Sequence, residues 1–269
     1  MLSLLHYAIS IPSTLPPFPT AWGAPPQDTV RPRDATFATL WSDVGPEFYR
    51  KVLVGQGDGA RDGWVMQWDA QVKWNVEPSD AAEELPKGWR ALDEVTDIPA
   101  DVLPQQSSRY LETATKRLPA DSTLAYDAPT SPGITHWISR FKRFYPAHLS
   151  APGQVHHAYL HESTHPPSVI TLVPVFDPTE DAATLIVSFL GIPSSDSAIA
   201  ESTYDLITRQ AARYGCAQVE VWEVPEDVVK VWQARSGGKV KRAKRKEHLG
   251  AMVWYGEEPV ERVRAVGGE

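Results

Sequence analysis

Apolar and polar positions along the chain follow two periods, and the switches between them predict its elements. Residues 35–44 are apolar, β-branched and aromatic, which suits a buried strand, and Pro46 then opens a short helical stretch to residue 53. VGQGDGARDG is a turn-rich loop, and WVMQWDAQVKWN alternates as one long strand or a hairpin. The acidic, Pro-containing text from Glu77 to about Asp101 reads as a connection with short helices, and QQSSRYLETATKRL (105–118) as an amphipathic helix. THWISRFKRFYPAHL (135–149) predicts an aromatic-rich helix. QVHHAYLHES, SVITLVPVFD and ATLIVSFLGI predict three strands. The 3.6-residue period is clearest over 195–215, where Ile199, Tyr204, Leu206 and Ile207 form one apolar face. Ser197 or Ser195 is placed to cap that helix, and Gly215 to end it. CAQVEVWEVP is then a strand, EDVVKVWQAR a helix, and LGAMVWYG a strand that closes the second half. This order predicts a mixed α/β sheet rather than a repeated βαβ dinucleotide fold, with a boundary near residue 104.

Composition narrows the function classes. The 269 residues are 42% hydrophobic and 22% charged, enough for a real core. Net charge is −8, which argues against nucleic acid as the main partner. The single Cys216 has no internal disulfide partner, so a reducing, cytoplasmic setting is expected. MLSLLHYAIS lacks a basic n-region, and no stretch reaches the roughly 18 apolar residues of a membrane span. Leu2, Leu5 and Tyr7 to Ile9 instead read as the buried stripe of a helix with no N-cap before it. The Pro-rich stretch that follows, with Phe18 and Trp22 interleaved, reads as an ordered loop pinned by aromatics.

Two runs invite chemistry. HESTH (161–165) matches the zinc-protease pattern, which needs both histidines on one helical face. VHHAYLHE upstream alternates as a strand, and Pro166-Pro167 removes His165 from helical geometry, so a polar hairpin tip is expected and no metal site. KVKRAKRKEH (239–248) carries six basic side chains; between Gly237-Gly238 and a strand, it reads as a solvated hairpin or loop. No phosphate loop, nucleophile elbow or clustered cysteines occur.

The remaining candidate is LWSDVGPEFYRK (40–51), a strand running at once into a helix that carries Phe48-Tyr49. It resembles the last conserved segment of the GCN5-related N-acetyltransferases. Together with the N-terminal helix, LPPFPTAWG and the second α/β half, it is similar to the fungal lysine N-acetyltransferase family over most of the chain. The resemblance implies an α/β (α+β) fold: a partial acetyltransferase-like mixed sheet over residues 1–104 and a second, degenerate acetyltransferase-like α/β domain over 105–269. It further implies acetyl-CoA as co-substrate and the side-chain amine of free lysine as acceptor. Tyr49 would protonate the leaving thiolate, and a phenol with a pKa of about 10 suits that task. Ser42 and Asp43, at the strand end, would face the cofactor or the amine.

The sequence departs from the family pattern in two respects: VLVGQGDGARDGW stands where an aromatic closes the family's F-Y-x-K-x-G-F segment, with Gly63-Trp64 taking that role late, and the start of the text differs. Met1 falls inside the helix that should follow the R/Q-x-x-G-x-G/A pyrophosphate loop, so the text reads as N-terminally incomplete, without that loop and several early strands. Three function classes therefore follow: a lysine N-acetyltransferase homologue, a non-catalytic α/β binding protein derived from it, and, more remotely, a zinc metallopeptidase through HESTH.

Overall fold

The computed structural model describes residues 21, 37–42, 65–68, 70–77, 84–93, 95–117, 120, 122–127, 157–177, 182–193, 195–222, 224–244, 249–254 and 263–267. They fall into two compact units that interleave along the chain: residues 1–69, 117–126 and 245–266 form one, and 70–116, 127–244 and 267–269 the other. The predicted helices over 1–10, 46–53 and 135–149 lie outside the described residues.

In the first unit, β1 (Phe37–Ser42) and β2 (Val65–Trp68) flank β11 (Leu249–Trp254), both antiparallel to it. Phe37 and Trp254 are register partners, and their rings stack with centroids 6.5 Å apart. Such cross-strand aromatic pairs hold register in a small sheet. A second pair joins β5 (Thr123–Asp127) to β12 (Val263–Gly267).

The second unit is built on a seven-stranded sheet in the order β10-β3-β9-β8-β7-β6-β4. Its strands are β3 (Ala70–Asn75), β4 (Trp89–Leu92), β6 (Ala158–His161), β7 (Ser168–Asp177), β8 (Ala182–Gly191), β9 (Gln218–Trp222) and β10 (Lys241–Lys244). The β8–β9 pair is parallel and every other pairing antiparallel. A parallel pair needs a crossover, and α2 (Ser197–Arg213) supplies it. α1 (Val102–Arg117) precedes β5, and α3 (Glu226–Arg235) joins β9 to β10.

Alternation decides which side chains enter the main core. Val72 and Trp74 of β3, Ala183, Leu185 and Val187 of β8, and Val219 and Val221 of β9 all join it. From α2 come Ile199, Tyr204, Leu206 and Ile207, spaced as one helical face. Val169 of β7 goes to the opposite face from Ile170 and joins Leu160, Leu92, Val102 and Leu103 in a second cluster under α1. β6 is buried at all four positions because both its faces are covered. Trp232 of α3 knots the main core: its ring lies 5.7 Å from Trp74, and its Nε1–H donates to the Ala200 carbonyl at 2.8 Å.

Several expectations change. WVMQWDAQVKWN is neither one strand nor a hairpin: β2 and β3 enter different sheets. The 77–101 connection contains β4. LGAMVWYG becomes β11 of the first unit's sheet instead of closing the second half. Within the basic run, read as a solvated hairpin or loop, Lys241–Lys244 forms an exposed edge strand on β3.

Candidate functional site

In a parallel α/β crossover, the place where backbone donors and the helix dipole converge is the helix N-terminus beyond the C-terminal end of the strand. Here that place lies between Gly191, at the end of β8, and Ser197, at the start of α2. Asp196 caps the helix, its side chain accepting from the Ile199 N–H at 3.0 Å. Pro193 contributes a carbonyl, which accepts from the Asp196 N–H, but no N–H of its own. A carboxylate on the positive end of the dipole satisfies one of the orphan donors. It also repels a second anion at the same spot. A pyrophosphate therefore does not fit the α2 N-terminus, and no step of chemistry is assigned to it there.

The turn from β6 to β7 carries HESTH. His161 ends β6 and is buried, while Ser163 and His165 lie in the turn and are exposed. The segment is not helical, so the two histidines do not share the helical face that the zinc pattern requires; the hairpin reading describes it. His161 Nδ1 meets Ser163 Oγ at 2.9 Å, and its ring packs edge-on against Trp89, centroids 5.2 Å apart. Trp89 Nε1 donates to Ser202 Oγ at 3.1 Å, tying β4 to α2. Gly88 covers the other side of the imidazole. Its φ of +89° favours glycine, and a Cβ there would stand 2.3 Å from His161 Nε2. Arg90 and Glu162 close the outside with an ion pair at 2.8 Å.

Two further polar groups lie inside the sheet-and-helix layers. The Tyr159 hydroxyl donates to Gln210 Oε1 at 2.9 Å and meets the Tyr214 hydroxyl at 2.8 Å. Burial pushes the Tyr159 phenol well above its ordinary value, and the neighbouring Tyr214 adds to this. On α1, Arg109 donates to Gln106, whose amide donates to the Pro167 carbonyl. Partial burial lowers the pKa of the Arg109 guanidinium, because desolvation disfavours charge.

Of the residues singled out from sequence, Ser42 is the last residue of β1, opposite Leu249 of β11. Asp43 and Tyr49 lie outside the described residues. The pattern reading named Ser195 and Ser197 as caps and passed over Asp196 between them. The signal was present, because aspartate is as good a cap as serine and lies three residues before Ile199. The Trp89–His161–Gly88 group was hidden, since it joins residues far apart in sequence.

Comparison with known proteins gives three findings. The family model described as the LYC1 GNAT-like C-terminal domain matches residues 73–269. No curated protein matches the chain. One similar solved structure is a GCN5-related N-acetyltransferase from Sphaerobacter thermophilus, 14% identical, with a TM-score of 0.34 over 81% of this chain. The chain spans 60% of that protein's length.

Proposed function

Because the chain belongs to the LYC1 GNAT-like C-terminal domain family, we propose that it serves acetyl transfer from acetyl-CoA to an amine, the side-chain amine of free lysine being the acceptor. The family match over residues 73–269 carries this reading. Acetyl-CoA supplies an activated thioester. The amine nitrogen forms the new C–N bond as the C–S bond breaks. In this reading Tyr49 is the acid: one ammonium proton leaves to solvent before attack, the phenol gives its proton to the departing sulfur, and the phenolate is reprotonated by the second proton lost from the nitrogen. Ser42, the last residue of β1, and Asp43, next to it in sequence, are assigned to orienting the amine or the thioester. The work is thereby assigned to the first unit. The capped α2 is consistent with this, since it offers the second unit no pyrophosphate cradle.

The test is incubation of the full chain with acetyl-CoA and a panel of amines (free lysine, ornithine and a lysine-containing peptide), with products read by mass spectrometry. Side-chain-acetylated lysine as the main product supports the reading. Acetylation of another amine in its place keeps the reaction class and overturns the substrate. Asp196 also favours a second reading, a non-catalytic binding module, because it closes the N-terminus of the crossover helix to an anion. Absence of product, together with no heat of acetyl-CoA binding in calorimetric titration, would select that module.

A further inference from the structure

β10 occupies one end of the seven-stranded sheet, and among the described residues no strand pairs with its outer side. In an antiparallel pair, alternate residues point their N–H and C=O groups away from the partner. Half of the four residues of β10 therefore present a backbone row to the outside. The side chains along this edge are Lys241, Arg242, Ala243 and Lys244, and all but Ala243 are exposed. Lys239, just before the strand, is exposed as well.

Register sharpens the chemistry. Lys241 stands opposite Lys73 of β3, and Lys73 stands opposite Glu220 of β9. Two cations thus share one row with a single carboxylate. Like charges directly opposite each other disfavour strand pairing, and an anion placed beyond Lys241 would relieve the row. On the opposite face of β10, Arg242 is matched by Glu226 at the start of α3. Lysines on an edge also deter pairing with a copy of the same strand. That repulsion selects against a basic strand and in favour of an acidic one. The chain as a whole is acidic at −8, so this strip is a local inversion of its charge and weak support for a polynucleotide partner.

We propose that β10 is a docking edge, accepting an acidic, extended segment of a partner protein as an added strand beyond Lys241–Lys244. Backbone hydrogen bonds hold the segment, and its carboxylates, at alternate positions and so on one face, meet Lys241. β10 belongs to the second unit, whereas Ser42 belongs to the first.

The test is fluorescence anisotropy of a labelled synthetic peptide alternating Glu and Thr, titrated with the full chain. Saturable binding below about 1 mM is expected, as is a loss of at least about tenfold when salt is raised from about 50 to about 500 mM. The same peptide N-methylated at alternate amides should bind at least about tenfold more weakly, because strand addition needs those donors. Lys241→Gln should weaken the unmodified peptide by about threefold or more, with the thermal midpoint unchanged. No saturation below about 1 mM overturns the proposal. So does equal binding of the N-methylated peptide, which would mean charge attraction alone. Equal or tighter binding of a single-stranded oligonucleotide would assign the edge to nucleic acid and likewise overturn it.

Discussion

Asp196 stands between two serines that serve equally well as caps by type, and its carboxylate is the group that reaches the Ile199 N–H. Its contribution is local, so Asp196→Ala should lower stability by about 1 kcal/mol in urea unfolding, while Asp196→Asn should keep most of it. Gly88 acts differently, since backbone and space both exclude a side chain there. The His161 ring it faces is fixed by Ser163 and Trp89, so the ring has little room to give way. Gly88→Ala should therefore cost about 1–3 kcal/mol, visible as a lowered thermal midpoint. Tyr159 sets a pH limit. Its folded pKa lies above its unfolded value of about 10, so the folded state holds the proton more tightly. Its contribution is complete below about pH 10 and is lost as pH rises from there toward the folded value. Denaturant titrations from about pH 9 to about pH 11 should show stability falling, with a shallower slope in Tyr159→Phe.

At the scale of elements, legibility followed the length and burial of each segment. β7 and α3 match the predicted segments residue for residue, and α2 is one turn or less from its prediction. Each is long enough, or buried on one clean face, for a period to show. β4 was missed because Trp89–Leu92 is too short to display alternation; pairing with β6 makes it a strand. β10 was read as a hairpin or loop because Lys-Arg-Ala-Lys has little β preference, and its backbone is recruited by β3 from much earlier in the chain. The split of 64–75 between two sheets was equally invisible, since alternation reports which face is buried and not which partner covers it. The core elements α2, α3 and β3 meet at Trp232, which is fully buried and bonded through its indole nitrogen. Trp232→Ala should cost about 3–5 kcal/mol in equilibrium unfolding. Amide exchange should speed up most in α3, which would lose its main anchor to Trp74 and α2.

For the whole molecule, the sequence reading reached a GNAT-like family and the mixed α/β class, and the match over residues 73–269 supports the first of these directly. Its site candidates Asp43 and Tyr49 lie outside the described residues. LWSDVGPEFYRK is a local motif, whereas a pocket is assembled by side chains brought together from distant segments. Among the described residues, the second unit contributes a negative result of use: a crossover helix whose N-terminus is already capped by its own carboxylate. The proposed reading puts the chemistry on Tyr49. The direct measurement is the rate of acetyl transfer to free lysine by the full chain, by Tyr49→Phe and by Asp196→Asn under the same conditions. The account predicts that the unsubstituted chain makes side-chain-acetylated lysine, that Tyr49→Phe is slower by about 100-fold, and that Asp196→Asn is unchanged. Transfer that survives Tyr49→Phe but is lost in Asp196→Asn would contradict it.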